Sequence, residues 1–242
     1  MRVLAAVFAH PDDETFATGG TVAKYAAEGA RVSLYCATDG DAGRSSGIPF
    51  SSREELGRIR RAELLDACAG LGIQVVEHGG HADGALNAAD PDVVIGQIVA
   101  FLRRERPQVV LTFGPEGAPT GHRDHKAICR FATSAVLLAG TAAFPDQLSA
   151  GLAPHRPDRL CFVTWPLPGP DEAPRQQGQP IHVRLPVEQW HPRKLEAFFA
   201  HRTQLDHEAY FRREAMPATE DYFVAIGEAV SGEDLFAGIG SD

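Results

Sequence analysis

The apolar positions of this 242-residue chain fall into short runs separated by longer segments of helical period. Val3 to Phe8 is apolar throughout, and Arg31 to Ala37, Ile73 to Glu77, Val109 to Phe113 and Leu160 to Thr164 are rich in Val, Leu, Ile and aromatic residues. Runs of this kind, without polar alternation, predict strands covered on both faces, as in a parallel sheet. Between them lie amphipathic stretches: Thr18 to Glu28, closed by Gly29; Arg53 to Gly70; Asp90-Pro91-Asp92 onward to Arg106; and His125 to Leu138. Asp90 ahead of Pro91 is a helix-starting pattern, and Pro107 stops the same helix. Alternating strands and helices predict an α/β fold, a Rossmann-like doubly wound and mostly parallel sheet with helices on both faces. Thr141 to Pro180, dense in Pro and Gly, reads as an excursion over the sheet edge. Val187 to Gln204 is again helical in period, and Tyr222 to Ile226 is a last short strand. No internal repeat or composition break divides the chain, so residues 1–242 are expected to form one domain.

Composition narrows the function classes. A hydrophobic share of 44% with 23% charged residues is that of a globular protein and argues against disorder. The net charge of -9 disfavours nucleic acid and anionic membrane surfaces. No apolar stretch approaches the roughly 18 residues that span a bilayer. Met1 to Phe8 runs straight into His10-Pro11-Asp12-Asp13 with no cleavage region, so it reads as a strand rather than a signal peptide. Cys36, Cys68, Cys129 and Cys161 form no C-x-x-C pair and are expected to be reduced core residues of a cytoplasmic protein.

The first strand ends in Phe8-Ala9-His10-Pro11-Asp12-Asp13-Glu14, and the fourth is followed by Gly121-His122-Arg123-Asp124-His125. Both segments therefore belong to the C-terminal edge of the sheet, where ligands bind in such folds. Three adjacent carboxylates repel one another and lose solvation unless a cation compensates them. The bland alternative is a solvated acidic turn capping the next helix. His122 and His125, one helical turn apart, can face one point. Two His and a carboxylate suit zinc in hydrolytic sites and ferrous iron in open facial sites. With both clusters at one edge, a metal site is the preferred reading. Metal-dependent phosphoester hydrolysis and a sugar-binding module that does not cleave its ligand are the other readings. Gly19-Gly20 makes no G-x-G-x-x-G turn, which argues against a dinucleotide enzyme.

The segment Ala9 to Glu14, together with Gly121 to His125, resembles the LmbE-like or PIG-L family of metal-dependent N-acetylglucosaminyl deacetylases. The likeness extends to Thr38-Asp39-Gly40, Arg60-x-x-Glu63, His201-Arg202-Thr203-Gln204 and Glu233 to Gly238. Ala42-Gly43-Arg44 followed by Arg53-Glu54-Glu55-Leu56 is most similar to the enzymes that deacetylate the glucosamine part of bacillithiol or mycothiol. The resemblance implies His10, Asp13 and His125 as ligands of one divalent metal, zinc or alternatively ferrous iron. It implies Asp12 as general base and His122 as the stabiliser of the oxyanion. Arg60 and Asp83 match sugar-contacting positions; read from the residues alone, Arg60 could equally pair with Glu63 on its helix and Asp83 could be a turn residue. Glu14 is expected to support the ligands from behind or to serve as an N-terminal helix charge, and His201 and Gln204 to orient the site, although a histidine beside Phe198 and Phe199 also suits a core. In some relatives a tyrosine stands where this chain has Thr120, which is too short to replace a phenol. The implied substrate is a small amino-sugar conjugate, with the loops Gly40 to Ser52 and Gly140 to Gln179 at the pocket rim; a homo-oligomer is compatible with the family.

Overall fold

The computed structural model describes residues 1–117, 120–165 and 178–240. The apolar runs form β1 (Val3–Phe8), β2 (Arg31–Thr38), β3 (Val75–His81), β4 (Val109–Phe113) and β5 (Arg159–Thr164). Two more strands, β6 (Val183–Pro186) and β7 (Thr219–Ile226), complete a seven-stranded sheet in the order β3-β2-β1-β4-β5-β7-β6. The first five strands run parallel to one another. β7 lies antiparallel to both β5 and β6. Leu4 to Phe8 are all buried, as an inner strand covered on both faces requires.

The helices are α1 (Asp13–Ala27), α2 (Arg53–Leu71), α3 (Pro91–Glu105), α4 (Arg123–Ala139), α5 (Pro145–Ser149), α6 (His191–Ala200) and α7 (Glu208–Glu214). α1, α2 and α6 pack together, and α3 packs on α4. The chain winds outward from β1 to β3, then returns through α3 to place β4 on the other side of β1. The order reverses between β1 and β4, and a crevice opens beyond their C-terminal ends at such a switch point.

Three differences from the sequence expectation have physical causes. α1 begins at Asp13 instead of Thr18, because Asp13 and Glu14 sit in its first turn, where the helix dipole favours acidic groups; Asp12 stands at the N-cap position without a side-chain cap bond. The helical segment expected from Val187 to Gln204 is a short 3-10 turn, α6 and a second 3-10 turn. Pro192, in the first turn of α6, is tolerated there and would break a helix interior. β6 and α7 are too short for periodicity to reveal. Of the expected excursion from Thr141 to Pro180, and of the rim assigned to Gly140 to Gln179, residues 166–177 lie outside the described residues.

Gly19 and Gly20 serve close packing. A Cβ on Gly20 would lie 2.6 Å from Cβ of Val187, and one on Gly19 would lie 2.9 Å from the Lys194 stem. The space admits a buried pair, Lys194 Nζ donating to Glu220 Oε1 at 2.6 Å. The Glu220 carboxylate also accepts the Gly20 and Thr21 N–H groups, tying α1, α6 and β7 together. All four cysteines are buried free thiols.

Candidate functional site

The loops after β1, β2, β3 and β4 meet at the switch point and bring His10, Asp12, Asp13, Arg60, Asp83, His122 and His125 into one cluster. Asp13 is its centre. Its Oδ2 accepts the backbone N–H of Ala9 at 3.1 Å and of His10 at 2.8 Å, so the turn after β1 fixes the carboxylate. The same Oδ2 lies 3.4 Å from His10 Nδ1, and Oδ1 lies 3.2 Å from His125 Nε2. Burial opposes the charge on Asp13, yet His125 and His10 beside it hold the carboxyl well below the usual range. Burial likewise disfavours a charged His10, but Asp13, with Asp124 and Asp83, raises its pKa well above normal.

The far nitrogen of each imidazole is engaged. His10 Nε2 faces Asp83 Oδ1 at 3.2 Å and Asp124 Oδ2 at 3.4 Å. His125 Nδ1 donates to the Gly117 carbonyl at 3.3 Å, and its ring stacks on Phe113 with centroids 4.0 Å apart. A carbonyl only accepts, so the Nδ1 of His125 carries a proton and Nε2 is the nitrogen turned to Asp13. With a cation bound, a proton on His10 Nε2, shared with Asp83 and Asp124, would leave Nδ1 as the ligating atom. The remaining nitrogen of each ring faces the Asp13 carboxylate, and each imidazole is oriented from behind as metal-ligating histidines are. The donor set suits a divalent cation of borderline softness.

A second group of donors meets at His10, with Asp83 and Asp124. Asp124 Oδ2 and Oδ1 accept the Gly84 and Leu86 N–H groups, and Asp83 Oδ2 accepts that of Ala42. These carboxylates therefore already serve backbone donors and His10. His10 lowers the pKa of both against the opposing effect of burial, Asp83 to about 2. Asp124 was not singled out from the sequence; its one signal was an acidic residue between His122 and His125 in the first turn of a helix.

Asp12 stands at φ 113°, a left-handed conformation that costs a non-glycine residue about 1–3 kcal/mol. Two side chains hold it there. Arg60 donates through one guanidinium nitrogen to the Pro11 carbonyl at 2.6 Å and to Asp12 Oδ2 at 3.0 Å, and through the other to the Gly40 carbonyl at 2.8 Å. Glu14 Oε2 accepts the Asp12 N–H at 3.0 Å. The expected alternative of an Arg60–Glu63 helix pair is not formed: Glu63 instead accepts from Thr203 Oγ1 at 2.6 Å and from its N–H. Burial pushes the Asp12 carboxyl up to about 6, against the Arg60 guanidinium that pulls it down. A carboxylate so placed is a candidate base near neutral pH.

His122 caps α4, its Nδ1 accepting the Asp124 N–H at 3.2 Å. The neutral ring therefore carries its proton on Nε2. Burial and the neighbouring His10 and His125 lower its pKa, which keeps it a neutral N–H donor. Its ring centroid lies 4.9 Å from that of His10 and 5.0 Å from that of His125. His10, His122 and His125 also have ligand atoms close enough to share one ion. Thr120 is exposed.

Comparison with known proteins agrees with this geometry. The family model PIG-L, described as GlcNAc-PI de-N-acetylase, matches residues 5–136, which take in both clusters. The chain is 33% identical to the 1D-myo-inositol 2-acetamido-2-deoxy-alpha-D-glucopyranoside deacetylase of Rhodococcus opacus, over 99% of each chain. It is 38% identical to the probable N-acetyl-alpha-D-glucosaminyl L-malate deacetylase 2 of Bacillus cereus, over 56% of this chain and 61% of that one. Its fold superposes on N,N'-diacetylchitobiose deacetylase from Pyrococcus horikoshii with a TM-score of 0.75 at 22% identity, covering 98% of this chain and 86% of that one. The chain belongs to the PIG-L family.

Proposed function

We propose that this protein hydrolyses the acetamide of an N-acetylglucosaminyl conjugate, releasing acetate and the free amine. The observation that carries the reading is the convergence of His10 Nδ1 and His125 Nε2 on the Asp13 carboxylate, with Asp12 beside them and not among them. His10, Asp13 and His125 are the ligands of one divalent cation, with zinc favoured over magnesium by the two imidazole nitrogens. A cation held by His10, Asp13 and His125 would supply Lewis-acid chemistry there, lowering the pKa of a water and polarising the acetyl carbonyl.

Asp12, its Oδ2 held by Arg60, offers Oδ1 to the proton of the attacking water and returns that proton to the departing amine. His122 offers its Nε2–H to the oxyanion that develops on the amide carbonyl. Thr120 is too short to reach in place of a phenol, so His122 carries that stabilisation from the protein side. Asp83, just beyond β3, is the sugar contact that the family resemblance implies, whereas Arg60, buried and bonded to Asp12 and two backbone carbonyls, acts through Asp12.

Two relatives support the sugar assignment, one acting on an inositol glycoside and one on a malate glycoside of N-acetylglucosamine. The substrate is a small amino-sugar conjugate. A cytosolic setting is favoured by the four free thiols, and no helix among the described residues is long and apolar enough to cross a membrane. The test is a screen of the zinc-loaded protein against N-acetylglucosaminyl conjugates and common phosphoesters. Acetate release from at least one conjugate is expected; phosphate release without acetate release would establish a phosphoesterase instead, and saturable binding without either product a sugar-binding module.

A further inference from the structure

We infer that Glu14 is a positioning residue for Asp12, and that the segment His201 to Gln204 is the strap that anchors it. The inference rests on the reading of Asp12 as the proton-accepting group. Glu14 is fully buried, in the first turn of α1. A glutamate placed there only to complement the helix dipole would gain as much at the surface without losing solvation. Both of its oxygens are instead engaged. Oε2 takes the N–H of Asp12 at 3.0 Å, while Oε1 takes Thr15 Oγ1 at 2.5 Å and His201 Nε2 at 2.8 Å.

His201 is itself fully buried and arrives from the far end of the chain. The residues after it continue the same grip. Thr203 bonds Glu63, one turn beyond Arg60 on α2, and Gln204 Nε2 donates to the Arg44 carbonyl at 3.1 Å in the loop after β2. One strap thus fixes the two elements that touch Asp12, with Glu14 on its backbone N–H and Arg60 on its carboxylate. Their combined hold sets both the strained backbone torsion and the direction of the carboxylate. Displacing a catalytic group by about 1 Å can cost on the order of 100-fold in rate.

Three variants separate positioning from general stability. Glu14→Ala removes the acceptor and the volume, Glu14→Met removes the acceptor alone, and Glu14→Gln keeps an oxygen for the Asp12 N–H. With each variant loaded with zinc and shown to be folded by circular dichroism, kcat for acetate release is expected to fall at least about tenfold in the first two. KM and zinc stoichiometry should stay near wild type, and Glu14→Gln should recover most of kcat. Wild-type kcat in Glu14→Met, loss of zinc in step with loss of rate, or no recovery in Glu14→Gln would each overturn the inference. Absence of acetate release from the wild-type protein would instead remove the reading on which it rests.

Discussion

Asp12 and Asp13 are neighbours with opposite electrostatic fates. The two imidazoles keep Asp13 charged, while burial brings Asp12 towards neutrality against the opposing pull of Arg60 and, less strongly, His201. Chain direction makes the difference, because the left-handed turn at Asp12 sends adjacent side chains to different places. His122 has a third environment, with Nδ1 consumed by the cap of α4 and the ring proton on Nε2, the donor that the proposed reaction uses. Replacing His122 by Ala is expected to lower kcat by about 100 to 1,000-fold, the usual cost of one oxyanion donor. Bound zinc, measured by elemental analysis, should be unchanged; loss of zinc in this variant would make His122 a ligand. Gly40 is a second residue-scale test. It has φ +65°, and a Cβ there would collide with the Arg60 guanidinium, so Gly40→Ala should displace Arg60 and reduce activity. Kinetics of the folded variant at wild-type level would show that Arg60 does not hold Asp12.

At the scale of elements, the strands and helices of the first half were legible because each is long enough for its period to show and is punctuated by Gly or Pro. β4 runs from Val109 to Phe113 as expected, and β1 likewise matches its apolar run. The C-terminal third was obscure for the opposite reason. β6 has four residues and α7 seven, and their burial is decided by contacts with β7 and α6 that no local pattern encodes. Buried charged groups do the joining there. Replacing Lys194 by Ala leaves Glu220 without its cation in the core, and an expected loss of about 3–5 kcal/mol should appear in urea unfolding. A loss below about 0.5 kcal/mol would place that pair among the dispensable ones.

The strap makes a pH-dependent contribution of its own. Burial works against a charged His201, but Glu14 raises its pKa above the normal value in the folded state. Its stabilisation is therefore complete below the unfolded pKa of about 6.5 and fades as pH rises through the raised folded value. The difference in melting temperature between wild type and His201→Gln should accordingly shrink between pH 6 and pH 9. A difference that grows over this range would contradict the charged pair.

For the whole molecule, the reversal of strand order between β1 and β4 converts two distant sequence motifs into one site. His10 and His125 follow the two strands that flank that reversal, so the strand pattern of the sequence is enough to bring them to one edge. It could not show how the site is braced from behind. The contacts of Asp83 and Asp124 with His10, and of His201 with Glu14, join residues far apart in sequence that only the assembled sheet and its loops bring together. Arg60 was expected as a sugar contact from the resemblance alone, and its hold on Asp12 and on two backbone carbonyls was not legible in the sequence. The central claim is a division of labour between adjacent carboxylates, one holding the cation and one moving the proton. The most direct test is zinc content and acetate release, measured in parallel on Asp12→Ala and Asp13→Ala with an N-acetylglucosaminyl conjugate that the wild type deacetylates. Asp12→Ala should bind zinc as the wild type does and release no acetate above background, whereas Asp13→Ala should lose the metal; full activity in Asp12→Ala, or undiminished zinc in Asp13→Ala, would contradict the account.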